Sequence, residues 1–386
     1  PPSGAGPAEP PYADEMLYAT HARIDLTAIA DNLRAVRERV GDRLVLAAVK
    51  ANGYGHGAVE VSEMLSDTGL ADWLAVATVP EAMQLRAAGI DLPILKLSQA
   101  FPEELPAAIE ARTTLTVVDE ATLRAANQAA VQASTSIDCH LKIDTGMRRI
   151  GAPPAAAADL ARLADTLPGI RLTGLFTHLP VSDTPSQDDF TRDQVSLFAQ
   201  TAATVQETIG RSLIVHAANS GAVLAHPEAW FDMVRPGIMI YGHYPDPATP
   251  RTVPLRPALT LATRVSLVKR VQPGETVGYG RTWRAPRETT IATIPAGYAD
   301  GLSRLLSNRG SALVRGRRYP IVGRVCMDQS MLDLGDDPVE VGDEVILIGR
   351  QGDTEITTSE VAELMGTIAY EVSCLLPPRV TRTWKA

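Results

Sequence analysis

The chain has 386 residues, 45% of them hydrophobic and 21% charged, with a formal net charge of −9. That length suffices for two domains and a large core, and the composition falls outside the disordered and fibrous classes. The acidic balance and the lack of any basic block argue against nucleic acid as a partner, and no apolar run approaches a membrane span.

Pro1 to Glu15, rich in Pro, Gly and Ala, reads as a disordered tail. It lacks the basic start and apolar core of a signal peptide, and position 1 is not methionine, which suggests processing or excision from a longer precursor. From about residue 22 to 255, short apolar runs alternate with helical patterns. The runs are 44–50, 73–78, 93–97, 114–118, 137–144, 171–178, 213–218 and 233–241; helical patterns cover 27–40, 80–88, 120–133, 155–167 and 189–209. This alternation predicts an α/β fold, a TIM-like (β/α)8 barrel over residues 16–255. The doubly wound alternative would want a Gly-x-Gly-x-x-Gly turn after its first strand, and none is there. After Pro257 the long helical patterns vanish. β-branched runs at 259–271, 289–294, 312–314, 319–325 and 345–348, with turn signals at 272–274 and 342–343 and one short helix at 358–365, predict a mainly β domain over 256–386. Three scattered cysteines, Cys139, Cys326 and Cys374, form neither a disulfide framework nor a zinc site and suit a reducing cytoplasm.

In a barrel the chemistry sits at the C-terminal ends of the strands. The first strand ends in Lys50, followed by Ala51-Asn52-Gly53-Tyr54-Gly55-His56-Gly57. A lysine leaving a buried strand is costly unless it is paired or neutral, and such surroundings make an amine a usable nucleophile or base. The glycines let backbone amides approach an anion. Amine and anion cradle together suit pyridoxal phosphate, an aldehyde that carries a phosphate. The fifth strand adds His140, Lys142 and Asp144, with Arg148 and Arg149 beyond; the sixth ends in His178, the seventh in Asn219-Ser220-Gly221, the last in Arg235-Pro236-Gly237-Ile238. This set is mostly cationic and so suits an anionic ligand. In the second domain, Gly278-Tyr279-Gly280 holds an aromatic ring on a turn with little to pack against; Tyr298, in 296–301, reads equally well as an aromatic plug of a β domain, and Cys326-Met327-Asp328-Gln329 adds a further polar segment.

With these motifs the chain, from about residue 22 to 382, resembles the alanine racemase family of fold-type III pyridoxal-phosphate enzymes. The segments that carry the resemblance are 48–57, 140–149, 176–178, 219–221, 234–242, 277–280, 297–301, 325–328 and 369–372. The resemblance implies interconversion of L-alanine and D-alanine by two bases on opposite faces of one carbon. Lys50 would condense with the cofactor aldehyde and act as one base. Tyr279 would be the other, contributed by the partner subunit of an obligate head-to-tail homodimer. Arg235, oriented by His178, would face the pyridine nitrogen and leave it unprotonated. Tyr54, Ser220, Gly237, Ile238 and Tyr370 would hold the phosphate, with Asn219 beside them. Arg149 would touch the cofactor's phenolic oxygen and the substrate carboxylate, and Met327 and Tyr298 of the partner would line the substrate pocket. Lys142 matches a position that is carbamylated in many members. The resemblance also implies a cytoplasmic enzyme without metal.

The chain departs from the family at Arg148, where glycine or asparagine is common, at Leu179-Pro180-Val181, and at Leu376-Pro377-Pro378-Arg379. Two rival readings remain at this stage. A fold-type III decarboxylase shares the architecture, and Cys326 with Asp328 imitates its late Cys–Asp pair, but it generally places a carboxylate where Arg235 stands. A non-catalytic pyridoxal-phosphate carrier resembles a lone barrel and would leave the second domain without a purpose.

Overall fold

The computed structural model describes residues 17–385; the expected tail at 1–15 lies outside the described residues. Two compact units are present, one of residues 25–258 and one that joins residues 17–24 to residues 259–385.

The first strand, β1 (His21–Asp25), does not open the barrel. It pairs antiparallel with Leu259–Arg264, His21 opposite Ala262 and Ile24 opposite Leu259. The expected barrel start at residue 16 is corrected accordingly: the chain lays down one strand of the β unit before the barrel begins. The barrel strands are β2 (Leu44–Ala48), β3 (Trp73–Val76), β4 (Ile94–Lys96), β5 (Thr113–Val117), β6 (Ile137–Lys142), β7 (Ile170–Phe176), β8 (Ile214–His216) and β9 (Met233–Val234). β2 to β8 pair in parallel in chain order, and β9 returns beside β2. The ring closes through single hydrogen bonds, Asp232 N–H to the Val215 carbonyl (3.0 Å) and Arg235 N–H to that of Ala218 (2.8 Å). The strands are buried on both faces, as parallel strands covered by helices must be, which is why they read as continuous apolar runs.

The expected last strand, 233–241, is cut to two residues. Pro236 has no N–H to give a ladder, and Ile238–Tyr241 coil into a fully buried 3-10 turn. Three of the outer helices begin at side-chain caps: Asp25 accepts from Ala28 N–H ahead of Leu26–Val40, Thr78 and Glu81 form a capping box at Val79–Ala87, and Asp119 caps Glu120–Gln132.

In the β unit, β1 lies in a seven-stranded sheet with 259–264, 311–314, 317–320, 344–351, 354–356 and 381–385; Leu267–Val271, Thr289–Ile294 and Ser330–Gly335 form a second sheet. The expected single run 259–271 breaks at Val265-Ser266, where the chain changes sheets. The expected helix Thr358–Met365 is present, capped by Thr357. Val271, Val277, Ile291, Val322 and Met331 pack as a small core.

Candidate active site

Beyond β2 the backbone reverses hand. Ala51, Asn52, Gly53 and Tyr54 have φ of 52, 53, 60 and 52°. Non-glycine residues in this region cost roughly 1–2 kcal/mol each, and such strain persists only where neighbours over-determine it. Here they do. Glu81 Oε1 accepts the Ala51 N–H (2.7 Å), the Asn52 side chain accepts from Ala58 N–H (3.0 Å), and Gly53 N–H reaches the Val49 carbonyl (2.7 Å). The other oxygen of Glu81 holds the N–H groups of Ala77 and Thr78 (2.7 and 3.0 Å), so one carboxylate ties the turn to a helix start.

The turn sets Lys50 at the strand end, its Nζ 5.8 Å from the Tyr54 ring centre. It also buries the Tyr54 ring against Tyr241, centroids 5.1 Å apart. A Cβ at Gly237 would stand 2.7 Å from the Tyr54 hydroxyl, so glycine is needed there for a close approach of backbone and phenol. Gly237 N–H donates to Ser220 Oγ (2.9 Å). Asn219 caps the short helix Ser220–Ala225 and donates to the Leu179 carbonyl (2.9 Å), which braces the start of that helix at Ser220. Tyr54, Ser220, Gly237 and Ile238 therefore converge. Tyr370, in the β unit, stands half-buried in the first turn of Ala369–Cys374.

The cations are brought together as well. Lys142, at the end of β6, is buried with its Nζ 3.3 Å from the Leu97 carbonyl. Burial first, then Arg235, Arg149 and Lys50, push its amine down to about 7 against a weaker opposing pull from Asp144. Burial, then Arg235, Lys142, Arg149 and Lys50, hold His178 well below its ordinary range. Asp144 is occupied by the N–H groups of Gly146 (2.9 Å) and Arg148 (3.1 Å). Arg149 is exposed.

Arg235 is buried. It donates to the carbonyls of Thr177 (2.8 Å) and Ala217 (2.9 Å), to His216 Nδ1 (3.0 Å) and, at greater length, to His178 Nδ1 (3.4 Å). Burial lowers its pKa to about 9, which leaves it charged at neutral pH. His178 thus stands within reach of Arg235, but His216 holds it more closely. Sequence reading passed over His216 because it lies inside the expected run 213–218, whereas in the structure β8 ends at His216 itself.

Arg148 adopts a φ of 57°. A left-handed φ favours glycine or asparagine, which gives a backbone reason for the usual residue at this position. The Arg148 side chain is 76% exposed and stands 4.0 Å from Asp144, so the extra charge faces solvent.

In the β unit, Tyr279 stands between Gly278 (φ 72°) and Gly280 (φ 71°) and is 73% exposed, as its sparse neighbours led us to expect. Tyr298 and Met327 occupy two turns locked together. Tyr298 N–H donates to the Cys326 carbonyl (3.0 Å), Ala299 N–H to that of Met327 (2.9 Å), and a Cβ on Gly297 would come within 2.3 Å of the Met327 oxygen. Arg379 clamps the pair: its Nε donates to the buried Asp300 (2.8 Å), its terminal nitrogen to Asp328 (2.9 Å), and Tyr18 closes on Asp300 (3.1 Å). In the sequence Arg379 stood out only as part of an unusual local segment.

Residues 24–245 match the family described as alanine racemase, N-terminal domain, and residues 258–384 the family described as alanine racemase, C-terminal domain. The chain belongs to the alanine racemase family. Among alanine racemases, that of Cutibacterium acnes is 52% identical over 366 residues, 95% of this chain and 97% of that protein. That of Symbiobacterium thermophilum is 44% identical over 364 residues, 94% and 96%. The alanine racemase structure from D-cycloserine-producing Streptomyces lavendulae superposes with a TM-score of 0.91 at 37% identity, covering 96% of this chain and 98% of that one. The alanine racemase of Bacillus anthracis with bound L-Ala-P gives 0.89 at 37% identity, covering 96% and 95%. The barrel followed by a β domain, expected from sequence texture, is the architecture of these alanine racemases.

Proposed function

We propose that the chain interconverts L-alanine and D-alanine on pyridoxal phosphate, with Lys50 and Tyr279 as the two bases. The observation that carries this reading is Arg235: a buried, donor-only guanidinium whose partners are two carbonyls and two imidazoles, in the place where a decarboxylase of this fold keeps a carboxylate.

The residues present fit the cofactor. Lys50 offers an amine to its aldehyde. The Tyr54 hydroxyl, Ser220, and the backbone at Gly237 and Ile238, a cradle that a Cβ at Gly237 would fill, fit its phosphate. Arg149 suits the phenolic oxygen and the substrate carboxylate, and Arg235 the ring nitrogen. Bound there, the cofactor draws off the electron pair left on the α-carbon when its hydrogen leaves as a proton. Arg235 can donate to the ring nitrogen but has no proton to give up readily, so that nitrogen must accept. Lys50 removes or returns the proton on one face, and the Tyr279 hydroxyl does so on the other. Inversion needs both, because one base could only put the proton back where it was.

We read the assembly as a head-to-tail homodimer in which Tyr279, Tyr298 and Met327 serve the partner's barrel. In the single chain they are 73%, 43% and 53% exposed, a surface that a second copy would cover. A cytoplasmic setting suits the three free thiols; no helix among the described residues is long and apolar enough to cross a membrane.

Lys142 is read as the carbamylated lysine. An amine held near 7 among three cations is partly neutral, can add carbon dioxide, and would gain an anion where, among the described residues, Asp144 opposes the positive charge. Incubation with ¹³C-bicarbonate should give a carbamate carbon resonance that is absent from Lys142→Met. Arg379→Met should release the two turns it joins: the KM for alanine is expected to rise several-fold with kcat less affected, and an unchanged KM would show that the clamp does not shape the pocket.

The test of the reading as a whole is alanine in heavy water. L-alanine should yield D-alanine with deuterium at the α-carbon. Exchange without inversion, or release of carbon dioxide, would sink the assignment.

A further inference from the structure

Arg235 starts a hydrogen-bond chain that runs deep into the barrel and whose direction is fixed at every link. An arginine side chain has donors only. The contact of 3.0 Å between its terminal nitrogen and His216 Nδ1 therefore requires a bare lone pair on Nδ1. A neutral imidazole with a bare Nδ1 carries its proton on Nε2. His216 Nε2 lies 2.9 Å from His140 Nδ1, so that bond runs from His216 to His140, and His140 in turn must carry its own proton on Nε2. There the chain ends: His140 Nε2 is buried and finds no partner among the described residues.

Both rings are held in the neutral state that this pattern needs. Burial is the main cause for each, and it takes His140 down to about 3; the positive charge of Arg235 adds to it, pressing His216 well below its ordinary range as well.

The barrel is built around these rings. Phe176 stacks on His216 with centroids 4.9 Å apart and planes 5° from parallel, and Trp73 lies 5.4 Å from His140. Gly174 stands opposite His140 across the β6–β7 pair, and a Cβ there would come within 2.5 Å of three atoms of the imidazole. The β6–β7 register shifts between Cys139 and His140. A strand that gives up its side chain at 174 and shifts its register to seat an imidazole is doing more than filling space, for which an aliphatic residue would serve.

We propose that His140 is a positioning residue for Arg235, acting through His216: by accepting the His216 Nε2–H it holds His216 in the one tautomer whose Nδ1 lone pair can face the guanidinium. This rests on the reading that Arg235 faces the cofactor's ring nitrogen. Without an acceptor at 140, the buried Nε2–H of His216 loses its partner, and the other tautomer, with its proton on Nδ1, becomes competitive. That tautomer points an N–H at the N–H of Arg235 and pushes the guanidinium off its place.

The test is ¹⁵N NMR of the histidine rings in the holoenzyme and in the chain without cofactor, beside kinetics. In the parent protein, His216 should carry its proton on Nε2 at neutral pH; a proton on Nδ1 overturns the proposal outright, whatever the chain's activity. In His140→Phe, the Nδ1–H form of His216 should appear, kcat/KM should fall by roughly tenfold or more, and pyruvate from abortive transamination should rise relative to racemisation. His140→Asn, whose side-chain oxygen can accept, should restore the tautomer and most of the rate. If His140→Phe keeps His216 purely as Nε2–H with the parent product ratio, His140 is only core packing and the proposal fails. Should the phenylalanine variant not fold, the parent spectrum and the asparagine variant decide. Failure of the parent to racemise alanine would refute the functional reading and leave the tautomer result standing on its own.

Discussion

Lys50→Ala is expected to lower kcat with either enantiomer by at least about 10³-fold, with the protein still folded. A positioned general base alone contributes about 10²–10⁴-fold, and each tenfold is about 1.4 kcal/mol of barrel-mouth chemistry lost from the transition state. On the proposed reading Lys50 would also anchor the cofactor covalently, so the variant would lose orientation as well as a proton acceptor. The contacts of Glu81, Asn52 and the Val49 carbonyl that hold the turn after Lys50 remain when the side chain at 50 is truncated, so the backbone should keep its path. Steady-state turnover of L- and D-alanine at saturating cofactor checks the loss. Borohydride reduction of the parent enzyme should fix the cofactor on the peptide that contains Lys50; label on another peptide would remove the basis for the prediction. A small added amine such as methylamine should restore part of the activity.

Tyr279→Phe is expected to reduce racemisation by about 10²–10⁴-fold and to do so by a route that exchange can resolve. The equilibrium constant between enantiomers is unity, so kcat/KM must fall by the same factor in both directions, and rate alone cannot tell which base was lost. Isotope exchange can. If Tyr279 serves the L face, the variant should keep exchanging the α-hydrogen of D-alanine with heavy water through Lys50, while exchange from L-alanine disappears. Equal exchange from both enantiomers at the parent level would remove Tyr279 from the mechanism. The ring is 73% exposed in the single chain and packs into no core, so loss of its hydroxyl should leave stability nearly unchanged.

The barrel was legible because parallel strands covered on both faces are continuous apolar runs, and eight such runs came at regular spacing. The catalytic and cofactor candidates were legible for a related reason: Lys50, Lys142, His178 and Arg235 interrupt apolar texture at the ends of strands, where polar groups are conspicuous. What escaped was whatever depends on partners distant in the chain. β1 reads like any half-buried strand, and only its pairing with Leu259–Arg264 assigns it to the β unit. The run 233–241 is apolar throughout, and periodicity cannot tell a buried strand from the buried 3-10 turn at Ile238–Tyr241. The helix Ala58–Thr68 was missed because its cap is a glycine, Gly57, rather than a Ser, Thr, Asp or Asn. His216 and Arg379 carry no local signal, since each acquires its meaning from residues at least nineteen positions away.

The reversed winding of Ala51 to Tyr54 has a consequence for how the protein can change. The turn is a place where the backbone is less stable than an ordinary sequence could make it, and the neighbours that hold it are the barrel's own. A substitution such as Ala51→Gly, which suits the left-handed conformation, would ease that local tension and also widen the range of shapes the segment can sample. Selection for thermal tolerance alone would thus favour changes at the turn whose rigidity sets the direction of Lys50. Robustness and activity are set against each other within four consecutive residues.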